Sequence, residues 1–427
     1  MTMIKKSIFL VLLTAVTMSL QAQDNTRLEE AFFDAEYFLL NGDYADALPY
    51  YQGIYSAQPE NAMIAYRIGL CYLNIEGKKN LAIGYLERAS EKMTSRFREG
   101  VLKQTEAPYD ALYFLGDAYR INYQFEKAAE AYTRYRGTLL PDDVENMMLI
   151  DQELSACHNA PAMMANPVQY TIENLGPVIN DAKDNFMPVI SADGKSMAYM
   201  SSMKFYDAIM YTRLIKGVWS PPMNITPDLQ SDGDQYVSCL SASGNMLILT
   251  KNDDFSSDLY TSVFDGLRWS PVTKMKREIN TKYWESHGFI SEDGKTLVFA
   301  SDRPGGFGGL DLYISRIDAN GNWGTPINMG PDINTALNED RPFLINNGST
   351  IFFTSQGHYS MGGYDIFKSD LQSSGIWGTP VNIGYPLNTP DDNTFFCPSD
   401  EGKAGYISLT REGEGYGKSD IYKIRFK

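Results

Sequence analysis

Two hydrophobic rhythms divide the chain. From Leu28 to about Asp142 the apolar residues recur at helical spacing, in segments of roughly 34 residues that each read as two helices and a turn. The first segment, FDAEYFLLNGDYADALPYYQGIYSAQPE, carries Ala35, Phe38, Gly42, Tyr44, Ala47 and Tyr51. The second carries Gly69, Tyr72, Ala82, Leu86 and Ala89, and the third Gly116, Tyr119, Phe125, Ala128 and Tyr132. Small residues fall where two helices must approach, and aromatics fill the spaces between hairpins. Such hairpins stack and need an end cap, and 144–159 has the length and apolar spacing for one. After the Pro-marked stretch 161–167, short alternating runs bounded by Gly, Asp and Asn replace the helical period, which signals strands.

The strand region repeats. Turn glycines stand at Gly194, Gly244, Gly294, Gly348 and Gly402, with steps of 50, 50, 54 and 54 residues. Asn180, Gln230, Asn280, Asn334 and Asn388 keep the same steps, and Asp207, Asp258, Asp311, Asp365 and Asp420 open one strand in each copy. Four antiparallel strands at this period make a propeller blade. Trp219, Trp269, Trp323 and Trp377 mark four outer strands, and a fifth would fall past Lys427. Counting one period back from Trp219 lands in VQYTIENLG, so the missing outer strand stands before the first blade. The fold expected is α then all-β: three helical hairpins with a capping helix, then a five-bladed β-propeller closed by an N-terminal strand. The expected boundaries are 23–160 for the helical domain, 161–167 for a linker and 168–427 for the propeller.

Two motifs carry family resemblances. The hairpins resemble the tetratricopeptide repeat. Family members bind peptide or protein segments in a groove lined by the first helix of each hairpin, which here implies Phe32, Glu36, Tyr66, Asn74, Tyr113, Asp117 and Arg120. A docking or spacing role for the hairpins is the alternative. SEDGKTLVFASDRPGGFGGLDLYIS and NWGTPINMG resemble the WD-like propeller repeat of Tol-type envelope proteins. The domain order is similar to periplasmic components of type nine secretion and gliding machinery. Many of those continue into an OmpA-like domain, which this chain does not show, so direct cell-wall anchoring is not expected.

The ends and the charge narrow the setting. Lys5 and Lys6 precede the short apolar run IFLVLLTAVTM, and Ala22 suits cleavage, so 1–22 reads as a secretory signal peptide. An exported envelope protein, periplasmic or outer-membrane-associated in a Gram-negative cell, follows as the expectation. With 37 basic and 53 acidic residues the net charge is −16, which argues against nucleic acid as a partner. No later segment is apolar enough to span a bilayer. Envelope proteins are the expected partners, and a glycan or peptide is a candidate ligand.

Chemistry is sparse. The three histidines, His158, His287 and His358, lack metal-ligand spacing, so neither metal nor cofactor is expected. Cys239 and Cys397 fall in an inner-strand position that other copies fill with Val189, Phe289 and Phe343, and read as buried hydrophobes. Acids recur where inner strands begin, at Asp184, Asp234, Glu285, Glu339 and Asp392. Near-repetition favours a structural role over a glycosidase pair. Divergence between copies points instead to Trp284, His287, Arg303, Arg341 and Tyr359 as a propeller ligand face. The expectation is a scaffold for protein–protein interaction without enzymatic activity; the alternative is a glycan-binding or glycan-cleaving propeller.

Overall fold

The computed structural model describes residues 26–252, 256–411 and 413–427; the expected leader, 1–22, lies outside the described residues. The chain separates into two compact units, 1–143 and 144–427.

The first unit is built of three antiparallel hairpins. Helices α1 (26–40) and α2 (Tyr44–Ala57) form the first, α3 (Ala62–Leu73) and α4 (Ala82–Ala89) the second, α5 (Asp110–Ile121) and α6 (Phe125–Arg136) the third. Gly42, at φ 78°, takes the left-handed conformation that turns the first hairpin. Asn61 caps α3 by accepting the Ile64 N–H at 3.2 Å. Gly116 is required by packing: a Cβ there would overlap the Tyr132 ring. The third hairpin departs from the expected interval, because an irregular segment, 90–109, separates α4 from α5.

The second unit begins with α7 (Val144–Ala165), which continues through Pro161. Residues 161–165 are therefore helical where a linker was expected. The helix groups with the propeller rather than with the hairpins it was expected to cap. Its polar face explains this: Gln152 Nε2 donates to the His358 carbonyl at 2.7 Å and to Ser360 Oγ at 3.0 Å, and Asn159 Nδ2 to the Ser360 carbonyl at 3.2 Å. These carbonyls belong to a loop of blade four that would otherwise leave them without protein donors.

Five antiparallel sheets follow, one per blade, four of them four-stranded and the first five-stranded. Inner strands are Asn185–Ile190, Gln235–Leu240, Glu285–Ile290, Glu339–Ile345 and Cys397–Ser399. Each neighbours the next, and the fifth neighbours the first, so the sheets form a closed ring. The outer strand of blade five is Tyr170–Asn174, which pairs with Asp420–Phe426 from Tyr170 opposite Phe426 to Asn174 opposite Tyr422. The expected clasp is present.

Repeated asparagines lock four of the five blades, and in blade one Thr226 Oγ1 accepts the Ile209 N–H at 2.8 Å. Asn280 accepts the Leu259 N–H at 2.9 Å and donates to the Leu259 carbonyl at 2.8 Å. Asn334 does the same with Leu312, and Asn388 with Ile366. At the seam Asn180 holds Ile421, accepting at 2.8 Å and donating at 2.9 Å. Gly417 in blade five lies so close to the Lys183 carbonyl of blade one that no Cβ would fit. The seam thus repeats the bonds of the other junctions.

Replacing Asn180 by Ala leaves the buried Ile421 N–H and C=O unmatched and is expected to destabilise the propeller by about 1–3 kcal/mol. Asn320→Ala, in an exposed turn, is expected to change stability by less than about 0.5 kcal/mol. Urea unfolding followed by tryptophan fluorescence measures both; equal effects would remove Asn180 as a closure residue.

Candidate functional site

Of the repeated acids, Asp184, Glu285, Glu339 and Asp392 are consumed by the fold, whereas Asp234 is exposed. The slot opening each inner strand is Asn185, Gln235, Glu285, Glu339 and Asn393. Glu339 Oε2 accepts the Thr335 N–H at 2.7 Å, and its Oε1 accepts Ser355 Oγ at 2.7 Å. Glu285 receives Thr281 N at 2.7 Å and Ser301 Oγ at 3.0 Å, and Asn393 Oδ1 receives Thr389 N at 2.6 Å. Asp184 and Asp392, one residue earlier in their copies, act as staples between blades. Asp184 Oδ1 accepts Ser419 N at 3.0 Å, and Asp392 Oδ1 accepts Tyr364 N at 2.9 Å. Asn338 accepts Leu310 N at 2.8 Å in the same way.

The sequence-selected ligand face separates into two groups. Arg303 is fully engaged, donating to the Ile279 carbonyl at 2.6 Å and Glu285 Oε1 at 3.1 Å while stacking on Phe299 and Tyr313. It is a structural cation rather than a ligand residue. His358 fills the corresponding place in blade four, donating from Nε2 to the Ile333 carbonyl at 2.8 Å. The Trp284 N–H donates to Asp302 Oδ1 at 2.7 Å and its carbonyl accepts the Asp302 N–H, and Tyr359 is 57 % exposed on the blade-four loop.

His287 and Arg341 do come together. Both stand where the inner strand leaves register, between Ser286 and Gly288 and between Asp340 and Phe343. A bulge of this kind re-aims a side chain out of the ladder. His287 Nδ1 lies 3.0 Å from Asp340 Oδ2, both side chains 14 % exposed. Ser286 Oγ donates to Asp340 Oδ1 at 2.6 Å, and the Arg341 N–H donates to the same oxygen at 2.7 Å. Burial would push the Asp340 carboxyl up, but His287, Arg341 and Ser286 overcome it and hold its pKa at about 2. Burial and the Arg341 charge depress His287 by more than Asp340 restores. A carboxylate has no hydrogen to give, so the imidazole is neutral with its proton on Nδ1. Ser286 and Asp340 address the same ring nitrogen, which is not the arrangement that activates a serine nucleophile.

Arg341 adopts φ 50° and lays its guanidinium over the Phe395 ring at 5.8 Å. Phe395 in turn packs edge-on against Phe343, which meets Phe289. Beyond these rings, where the inner strands end, a pocket of ≈ 280 Å³ draws walls from all five blades, including Ile190, Leu240, Ile290, Leu344 and Pro398. Sequence reasoning passed over Ser286, Asp340, Tyr364 and Phe395. The register held a signal for Asp340: the five copies there read Phe186, Tyr236, Ser286, Asp340 and Thr394, no two alike.

The expected hairpin groove is mostly closed. Phe32 and Tyr66 are buried, and Glu36 is bound by Arg67 at 2.9 and 3.0 Å and by the Tyr51 hydroxyl at 2.6 Å. Arg120 and Asp117 share the Tyr132 hydroxyl, at 3.1 and 2.6 Å. The cause is segment 90–109, which sets Phe97 against Tyr66 at 6.4 Å and Glu99 on Arg67. Tyr113 is half-buried against Tyr132 and Tyr135. Asn74 is exposed, although its side chain bonds the Leu70 carbonyl at 2.9 Å. All four cysteines are buried, and burial pushes the Cys239 and Cys397 thiols up to about 12.

A tetratricopeptide-repeat family model matches residues 35–94, the first two hairpins. No curated protein matches the chain. TolB from Acinetobacter baumannii is similar at 15 % identity over 68 % of this chain and 71 % of its own, with TM-score 0.36. A putative TolB from Agrobacterium tumefaciens aligns at 14 % identity over 61 % and 98 %, TM-score 0.36. The catalytic domain of a GH62 α-L-arabinofuranosidase from Coprinopsis cinerea aligns at 9 % identity over 61 % and 98 %, TM-score 0.38. The expectation that the chain has no enzymatic activity is withdrawn on this finding: solved structures similar to this one include a catalytic domain. At these scores the resemblance assigns no reaction either.

Burial pushes the Glu339 carboxyl up to about 7. Because the folded pKa lies above the unfolded value, its contribution to stability is complete below about pH 4.5 and is lost as pH rises through about 7. Glu339→Gln keeps the acceptor and removes the ionisation, as Gln235 does in blade two. Its stability relative to the wild type is expected to rise by about 2–4 kcal/mol between pH 5 and pH 8. Denaturant unfolding at the two pH values checks this, and an unchanged difference would mean that Glu339 does not titrate in that window.

Proposed function

We propose that the chain is an exported scaffold of the cell envelope that joins a tetratricopeptide-type hairpin unit to a propeller, each engaging protein partners. One observation carries this reading. The repeated acids and amides of the propeller are taken up by internal bonds, whereas the copies diverge in chemistry at the channel mouth, around His287 and Arg341. A surface maintained only for folding has no use for a lone divergent cluster of charged groups in one sector of a ring. Exposed aromatics on neighbouring loops, Phe307 at 51 % and Tyr416 at 48 %, add the amphipathic anchors that protein interfaces favour.

The leader-like sequence supports placement in the periplasm or at the outer membrane of a Gram-negative cell, within a secretion or outer-membrane assembly. Among the described residues no helix is long and apolar enough to cross a membrane.

Photo-crosslinking with the whole chain tests the scaffold reading. A photoreactive residue at Phe307 or Tyr359 on the propeller, or at Asn74 on the hairpins, is expected to give discrete protein adducts in envelope extracts. The same residue at Val381, on an outer strand, is expected to give none. Absence of adducts from both units, or equal labelling at Val381, would overturn the scaffold reading.

A further inference from the structure

The arginines of this protein are not equivalent. Arg67 meets Glu36 through two nitrogens, and Arg303 meets Glu285 and the Ile279 carbonyl. Arg341 has its guanidinium on the Phe395 ring, and no acceptor for it stands among the described residues. The nearest carboxylate, Asp340, is already turned to His287, Ser286 and a backbone N–H. The hydroxyl of Tyr364, from the adjoining loop of the same blade, is likewise without a described partner, and its backbone is tied to Asp392 and Asn393, just before Phe395 on which Arg341 lies. Two donor groups without described acceptors therefore stand in blade four, beside the ring pair of Phe395 and Phe343.

We propose that this mouth binds one carboxylate carried on an apolar stem, the C-terminal carboxylate of a partner chain, with Arg341 as its ion-pairing residue and Tyr364 as a second donor. The inference rests on the reading of the propeller as a partner-binding module. A guanidinium whose charge is met only by an aromatic ring keeps its N–H fork for the two oxygens of a carboxylate. The surroundings select charge. Asp340 is ionised beside the site, and Asp392 stands at the start of the neighbouring inner strand, in blade five. A doubly charged phosphomonoester meets this negative field twice over, whereas a single carboxylate is matched by the one unpaired guanidinium. The ring floor below accepts an apolar final side chain. His287, kept neutral by burial and by the Arg341 charge, adds no competing charge.

The test titrates the full-length protein with N-acetyl-phenylalanine, its amide and phenyl phosphate, read by calorimetry and by imidazole shifts of His287. The free acid is expected to bind at least about tenfold more tightly than the amide, since only the acid supplies the ionic acceptor. Phenyl phosphate is expected to bind more weakly than the acid. Arg341→Gln is expected to abolish the difference between acid and amide, Arg341→Lys to retain part of it, and Tyr364→Phe to weaken the acid several-fold, each with melting behaviour kept as a folding control. Equal affinity for acid and amide, tighter phosphate binding, no binding of the acid, or an undiminished Arg341→Gln would each overturn the proposal. Failure here with propeller cross-links intact sinks the carboxylate site alone; loss of both removes the scaffold reading as well.

Discussion

Closure of the ring is the constraint on which the propeller depends. A sheet of four strands has two edges, and an outer strand left unmade would expose a row of backbone donors and acceptors along Asp420–Phe426. The segment Tyr170–Asn174 covers that row. It also brings Asn174, whose Nδ2 donates to Asp420 Oδ2 at 2.8 Å, as Asn328 does to Asp311 in blade three and Asn382 to Asp365 in blade four. Asn180 and Asp184 complete the seam with bonds made by their counterparts elsewhere. The first and last residues of the propeller therefore form one blade.

The same constraint explains what the acids do. A tight blade junction needs acceptors for the backbone N–H groups that turn from one blade into the next. Carboxylates and amides meet that need interchangeably, which is why Asn185, Gln235, Glu285, Glu339 and Asn393 share one slot. The two glutamates are buried as acids among amides, and the Arg303 guanidinium offsets one of them. Acids in a propeller need not mark chemistry. Here the register shows which are mortar, and the slots where no rule holds are left to carry specificity.

How much of this was legible in the sequence follows the same division. Features that repeat were readable, because Gly, Asn and Asp recur at fixed steps and each serves one physical end, whether a left-handed turn, a paired amide or a cap. The clasp was readable because a missing fifth Trp had a place to be. The bulge residues were only half readable. His287 and Arg341 stood out by divergence, but Asp340 and Tyr364 join them through the bulged register and a loop from the same blade, neither of which has a period. The hairpin groove failed for a related reason. Small and aromatic positions fixed how helices pack, whereas Phe97 and Glu99 reach Tyr66 and Arg67 from an insertion outside the repeat. Arg303 was misjudged because its divergence from the other copies serves the core: it does with a guanidinium what His358 does with an imidazole.

The comparison of the three arginines bears on how a folded chain tolerates an unmatched cation. Burying a guanidinium without acceptors is costly in a dry interior, so Arg67 and Arg303 are paired wherever helices or strands close over them. Arg341 sits on a channel wall, where water reaches part of the group and the Phe395 face supplies some of the missing attraction. Asp340 lies near enough to steady the charge but is turned away by three other donors. Folding thus leaves the guanidinium oriented, partly desolvated and short of an acceptor. Those three properties together favour recognition over stability, since a carboxylate arriving from outside replaces mobile water with a matched fork and finds the geometry already set.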